Sequence, residues 1–293
     1  MIGVNFWERL QRLDRRVIFI LIAAVVAIPL IWPPRPKLQI SPPTQKVFDY
    51  IEKLPPGSVV ALCFDYGPSS APELDPMAYA ILRQCLTKGV KVIVMTLDIT
   101  GKQMKSHALN RVVAQLEQEG VKPVAGDDYL DLPYQPGYTA VVLGMGEDVH
   151  KVFPIGTAGG KTQPIGTWPL MDRVHTMRDL SLVVDLASSN TPTMWVLYGA
   201  SRFGVKVAAG VTAVMVMDYY PFLQSKQLVG LLGGMKGAAE YEQLLKKPGL
   251  GMSGMGGQKW GHLVIIAFVV VGNIGYFASR RAARRAAGAA EVG

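Results

Sequence analysis

Cysteine is scarce in this chain: Cys63 and Cys85 are the only two among 293 residues, so a disulfide framework is excluded as the source of stability. Cys63 falls in an apolar strand and Cys85 in a helical stretch, so both read as buried thiols. Histidine is nearly as rare. His107, His150, His175 and His262 show no HExxH or related spacing, which removes the zinc motifs that spacing alone reveals.

Phosphate and nucleophile motifs are missing too. The run Gly156–Thr162 resembles the tail of a P-loop, but its first glycine would have to stand at Ile155, and no helix clearly follows. Gly144-Met145-Gly146 has valine, Val149, where a dinucleotide fingerprint needs glycine or alanine. Gly199-Ala200-Ser201-Arg202-Phe203 lacks the closing glycine of a nucleophile elbow and sits in a helical pattern. The chain has no tandem repeat, and no catalytic motif meets its spacing requirement, so the sequence leans away from an enzyme and names no cofactor.

No apolar run reaches the ~20 residues that ordinarily cross a bilayer. Two shorter runs, 17–32 and 263–278, bracket the rest, and each carries arginines on its outer side: Arg9, Arg12, Arg15 and Arg16 before the first, Arg280, Arg281, Arg284 and Arg285 after the second. By the positive-inside bias these tails stay cytoplasmic and the intervening domain lies outside. A cleaved signal peptide competes for the first run, but Ile31-Trp32-Pro33-Pro34 offers no small-residue cleavage site. The net charge of +8 reads as topology signals and contacts to anionic lipid, not as a nucleic-acid surface.

Between the runs, apolar segments alternate with helical periodicity. A proline-rich spacer from 33 leads into a helix near Thr44 that closes at Pro55-Pro56-Gly57. Strands are expected at 59–64, 90–97, 121–125, 140–144, 182–186 and within 205–216, with helices at 75–88, 103–119 and 192–203. The stretch 147–170 reads as a long ordered loop. The fold expected is α/β: a mostly parallel open sheet with flanking helices, plus one N-terminal and one C-terminal transmembrane helix. Its plan is a basic cytoplasmic N-terminus (1–16), a membrane helix (17–32), a spacer and helix (33–57), an extracytoplasmic domain (58–223), a Gly-rich packing helix (224–247), a Gly/Met hinge (248–261), a membrane helix (262–278) and a basic cytoplasmic tail (279–293).

Two groups of residues are candidates for function. Asp65, Asp98, Asp127, Asp128, Glu147, Asp148 and Asp218 all follow expected strands, where ligands of open α/β sheets bind. Such a cluster can hold a divalent cation or divide acid and base roles, although aspartate is also favoured at turns and caps for local reasons. The second group is small: Gly230, Gly234 and Ala238 recur every four residues, and Gly272 and Asn273 interrupt the second apolar run. This points to close approach of another backbone, that of a neighbouring subunit in an oligomer or of the same chain, or, at 224–247, to a helix the glycines break. The functional expectation is a structural or scaffold subunit of a homo-oligomeric or larger membrane assembly, partnered by lipid and other membrane subunits. A membrane-tethered hydrolase or metal-dependent enzyme and an extracytoplasmic ligand-binding or sensory module are the alternatives.

Overall fold

The computed structural model describes residues 15–31 and 37–290, so the first residues of the expected proline-rich spacer, 33–36, lie outside the described residues. The chain divides into two units, residues 36–252 and residues 1–35 with 253–293. Helix α1 is Arg15–Ile31. In the larger unit the order is α2 (Pro42–Lys53), β1 (Val59–Asp65), α3 (Ala71–Thr87), β2 (Lys91–Met95), α4 (Gly101–Gln118), β3 (Tyr129–Asp131), α5 (Tyr138–Glu147), α6 (Val149–Val152), β4 (Ile155–Ala158) and β5 (Lys161–Pro164). Then come β6 (Leu182–Ala187), helix α7 over 191–203 with a π-helical stretch at Trp195–Ala200, β7 (Val207–Val211), α8 (Val216–Gln224), β8 (Leu231–Gly233) and α9 (Gly234–Leu244). Helix α10, Leu250–Ala290, follows.

The eight strands form one sheet in the order β5-β4-β3-β2-β1-β6-β7-β8. Six of them are mutually parallel, while β4 and β5 form an antiparallel hairpin at one edge. Every residue of β1 (VVALCFD), β2 (KVIVM) and β6 (LVVDLA) is buried, as expected of strands covered on both faces. From β1 the chain winds outward to β2 and β3, then returns to the centre and winds the other way through β6, β7 and β8. Right-handed crossovers therefore place α3 and α4 on one face of the sheet and α7 and α8 on the other. Helix α3 packs against α4 and α9, while α5 packs against α7. The order reverses between β1 and β6.

Several sequence expectations need correcting. The run 121–125 is not a strand, because Pro123 interrupts it; only Ala125 makes a bridge, to Tyr129, and the third strand begins at that residue. The run 140–144 is helical. It buries Val141, Val142, Met145 and Gly146, a helix spacing that a short apolar run does not distinguish from a buried strand. The expected loop at 147–170 holds α6 and the β4–β5 hairpin, whose turn residues Gly159 and Gly160 have φ of +56° and +75°, the conformation a two-residue turn of type I′ demands.

The single helix expected at 224–247 is instead the end of α8, then β8, then α9. Close backbone approach does occur there, but inside the chain: a Cβ on Gly230 would lie 2.5 Å from the carbonyl oxygen of Pro43 at the start of α2. Most of the segment 248–261, expected as a hinge, is helical, the first turns of α10, which starts at Leu250.

In the smaller unit, α10 contains the stretch Leu250–Arg281, the one helix among the described residues that is long and apolar enough to cross a membrane. The apolar part of α1, Arg16–Ile28, is shorter than that, so the expected N-terminal span is not matched by the described helix. The two helices touch. A Cβ on Gly257 would lie 3.5 Å from the carbonyl oxygen of Val26, and one on Gly261 would lie 3.6 Å from the Val26 side chain. Partial burial continues on α10 through Val264, Phe268, Val271 and Gly275 and on α1 through Ile18, Ile22 and Val25, a seam of three- and four-residue steps. Arg9 and Arg12 lie outside the described residues, as do the side chains of Arg284 and Arg285.

Candidate functional site

The carboxyl ends of β1 and β6 flank the point where strand order reverses, the position at which open α/β sheets bind ligands. Both strands carry an aspartate there. In the parallel register Cys63 is opposite Asp185 and Asp65 is opposite Ala187. Side chains alternate along a strand, so Cys63, Asp65 and Asp185 share one face. Both carboxyls are fully buried.

Their surroundings differ. Asp65 Oδ1 accepts hydrogen bonds from the backbone N–H of Leu97 at 2.6 Å and of Asp98 at 3.1 Å, and the Thr96 hydroxyl lies 3.1 Å away. These donors tie the end of β1 to the turn after β2. Asp65 Oδ2 and both oxygens of Asp185 have no hydrogen-bond partner. Burial lifts the Asp65 carboxyl to about 6 against the pull of those donors. Burial, then the charge of Asp65, lifts Asp185 well above the ordinary carboxylate range. The same order of causes, burial first and the two aspartates after it, pushes the Cys63 thiol up.

The other acidic residues do not converge on this point. Asp98 Oδ1 accepts the backbone N–H of Thr100 at 2.9 Å and shapes a turn. Asp127 and Asp128 precede β3 and so lie at the opposite end of the sheet, where both pair with Lys91 at 2.8 and 3.3 Å. Glu147 ends α5 beside Asp148, and Asp148 caps α6 by accepting the backbone N–H of His150 and Lys151. These two carboxylates border a shallow cavity of about 370 Å³ with Lys151. Asp218 is exposed in the first turn of α8. His150 and His175 meet, with ring centroids 5.2 Å apart, and His150 Nε2 lies 2.9 Å from the Val174 carbonyl oxygen. Among the described residues no group of three or more His, Cys, Asp and Glu side chains is placed to hold a metal ion.

The small-residue candidates separate in the same way. Gly234 starts α9 and Ala238 is fully buried in it. Gly272 has open space around it, and the Asn273 amide donates to the Val269 carbonyl of its own helix at 2.9 Å.

Three groups escaped the sequence reading. Asp185 sits inside the apolar run LVVDLA, and a charged residue in a fully buried strand was the available signal. Lys105 of α4 pairs with Asp131 at the end of β3, and only the fold brings them together. A groove of about 370 Å³ runs beside β8, lined by Val216, Met217, Tyr220, Leu231, Lys236 and Glu240 among others. Next to it, Val214 and Met217 are 87% and 74% exposed. No protein-family model matches the chain, and no curated protein or solved structure matches it.

Proposed function

We propose that the protein is a membrane-anchored structural subunit of a larger or homo-oligomeric assembly, which works through binding surfaces and not through bond-breaking chemistry. The observation that carries this reading is the exposure of Val214 and Met217 at the carboxyl end of the sheet, beside the apolar groove along β8. Large apolar side chains gathered on one surface are unfavourable in water and are characteristic of contact sites. The separation of the acidic residues agrees with it: of seven candidates only Asp65 lies at the switch point, and it is sealed from solvent.

The anchor in this proposal is a two-pass helical hairpin with both termini cytoplasmic and the α/β domain outside. The seam between α1 and α10 supports it. Two small residues line the seam, Gly257 against the Val26 carbonyl and Gly261 against the Val26 side chain, the residue type enriched where membrane helices associate. Antiparallel pairing along that seam brings Arg16 and Arg280 toward the same end, as the positive-inside bias requires. A pair of helices also shields the short α1 better than α1 alone.

The test is native mass in detergent. Val214→Glu with Met217→Glu is expected to reduce a multi-chain species to a single chain while the fold persists by circular dichroism; an unchanged mass profile contradicts the proposal. A cysteine introduced by Val214→Cys should react with a membrane-impermeant thiol reagent on intact cells, and one introduced by Ala289→Cys should not. A second reading, a sensory module, is favoured by the buried Asp65–Asp185 pair.

A further inference from the structure

We propose that Asp65 and Asp185 share a single proton and thereby form a clasp across the switch point, closed while the proton is held and opened when it is lost. The argument begins with charge. Among the described residues, no ion pair includes either carboxyl. Two ionised carboxylates side by side in a fully buried site, with no cationic side chain paired to either, are strongly disfavoured, and one of them takes up a proton.

Hydrogen-bond geometry says which. Asp65 Oδ1 is met by two backbone N–H groups and a hydroxyl, donors that stabilise an anion. Asp185 receives no backbone N–H; only the Thr191 hydroxyl stands near it, and neither of its oxygens has a partner at ordinary hydrogen-bond distance. Asp185 is therefore the acid, and its O–H donates to Asp65 Oδ2, the one oxygen of that carboxylate left without a partner. This single bond removes two of the three unpartnered oxygens.

The groups facing the pair offer no substitute cation. They are Cys63 on β1, Tyr138 at the start of α5 and Tyr219 on α8, with Asp98 and Asp218 further out and Thr191 at the start of α7. Loss of the proton places two like charges across the β1–β6 pair at its carboxyl end. The bond joining these strands there runs from the backbone N–H of Ser188 to the Asp65 carbonyl, at 3.2 Å. Deprotonation separates the loop 66–70 from the loop 188–190 and admits water to the crevice between them. Both carboxyls are raised in the folded chain, so the folded state binds the extra proton. The stability that the two raised carboxyls contribute is complete below the unfolded carboxyl pKa. Part is lost as pH rises through about 6, where Asp65 ionises and one proton remains between the two, and the rest at the higher pH where Asp185 gives up that proton.

Hydrogen exchange on the full chain in detergent tests the clasp. After correction for intrinsic rates, segments 59–70 and 182–191 of the wild type should lose about tenfold or more protection as pH is raised from about 7 to about 10, the range in which strongly raised buried carboxyls ionise, while Asp185→Asn, whose amide donates permanently, should not. Equal loss in both chains, or none in the wild type, overturns the proposal. Should Asp185→Asn fail to fold, Asp65→Asn carries the same expectation, because its side-chain oxygen still accepts from Leu97 and Asp98. Infrared difference spectra supply a reading on the wild type itself: a protonated-carboxyl band at neutral pH that either variant removes supports the shared proton, and its absence in the wild type overturns it.

Discussion

Asp131 at the end of β3 and Asp185 near the end of β6 meet the same physical problem, a carboxyl group in the interior, with different partners. Asp131 lies against the Lys105 ammonium and accepts from the Ser106 hydroxyl at 2.8 Å. Burial and the neighbouring Lys102 pull Lys105 down to about 7, and the Asp131 carboxylate together with the Leu132 carbonyl, at 2.7 Å, keeps the ammonium in place. Asp185 has only a second carboxyl beside it. Lys105 turns neutral as pH rises through about 7 but stays beside Asp131 as a donor, whereas a proton lost from Asp185 leaves two anions facing each other. The contrast separates a contact that weakens with pH from one that turns repulsive, at the β1–β6 junction.

The comparison breaks most readily at Lys105. Lys105→Ala leaves the half-buried Asp131 without its cation and is expected to cost about 3 kcal/mol of unfolding free energy, read from denaturant midpoints. A third buried acid sharpens the contrast next. Glu242 of α9 accepts the backbone N–H groups of Gly249, Gly251 and Met252 at 2.9, 2.8 and 2.8 Å, so it is satisfied with neither lysine nor proton. Glu242→Gln turns an acceptor into a donor facing those groups, and a loss of about 1.5–3 kcal/mol in the same assay is expected.

Thr96→Val acts on the responsive site itself. It removes the hydroxyl beside Asp65 Oδ1 and should cost about 1 kcal/mol; it should also move the pH at which protection is lost upward, since the anion of the pair loses support. Asp218→Asn, on an exposed turn of α8, is expected to stay within about 0.5 kcal/mol of the wild type and to leave the pH profile unmoved.

Much of the sheet was legible because its central strands are long, β-branched and apolar. The runs 59–64, 90–97 and 182–186 stand where β1, β2 and β6 are found. Legibility ended where a short apolar run carried no period. The segment around Val141 and Val142 fits strand or helix equally, and its packing against α7 decides for helix. The glycines at 230 and 234 did signal close approach, but the sequence does not say whose backbone approaches, and it is that of α2 for Gly230. For the site, Asp65 was found by its place at a strand end, whereas Asp127 and Asp128 were assigned to the wrong end of the sheet, because β3 starts after them and not before. Asp185 was hidden because the pairing of β1 with β6 joins residues some 120 positions apart, and no local pattern encodes such a contact.

The shared proton is tested most directly by unfolding the full-length wild type and Asp185→Asn side by side across the range from about pH 7 to about pH 10. Subtracting one profile from the other removes every group the two chains have in common, Lys105 included. The advantage of Asp185→Asn over the wild type should widen steadily as pH rises, because only the wild type has a proton to lose at this site. A difference that stays constant with pH, or narrows, would contradict the account.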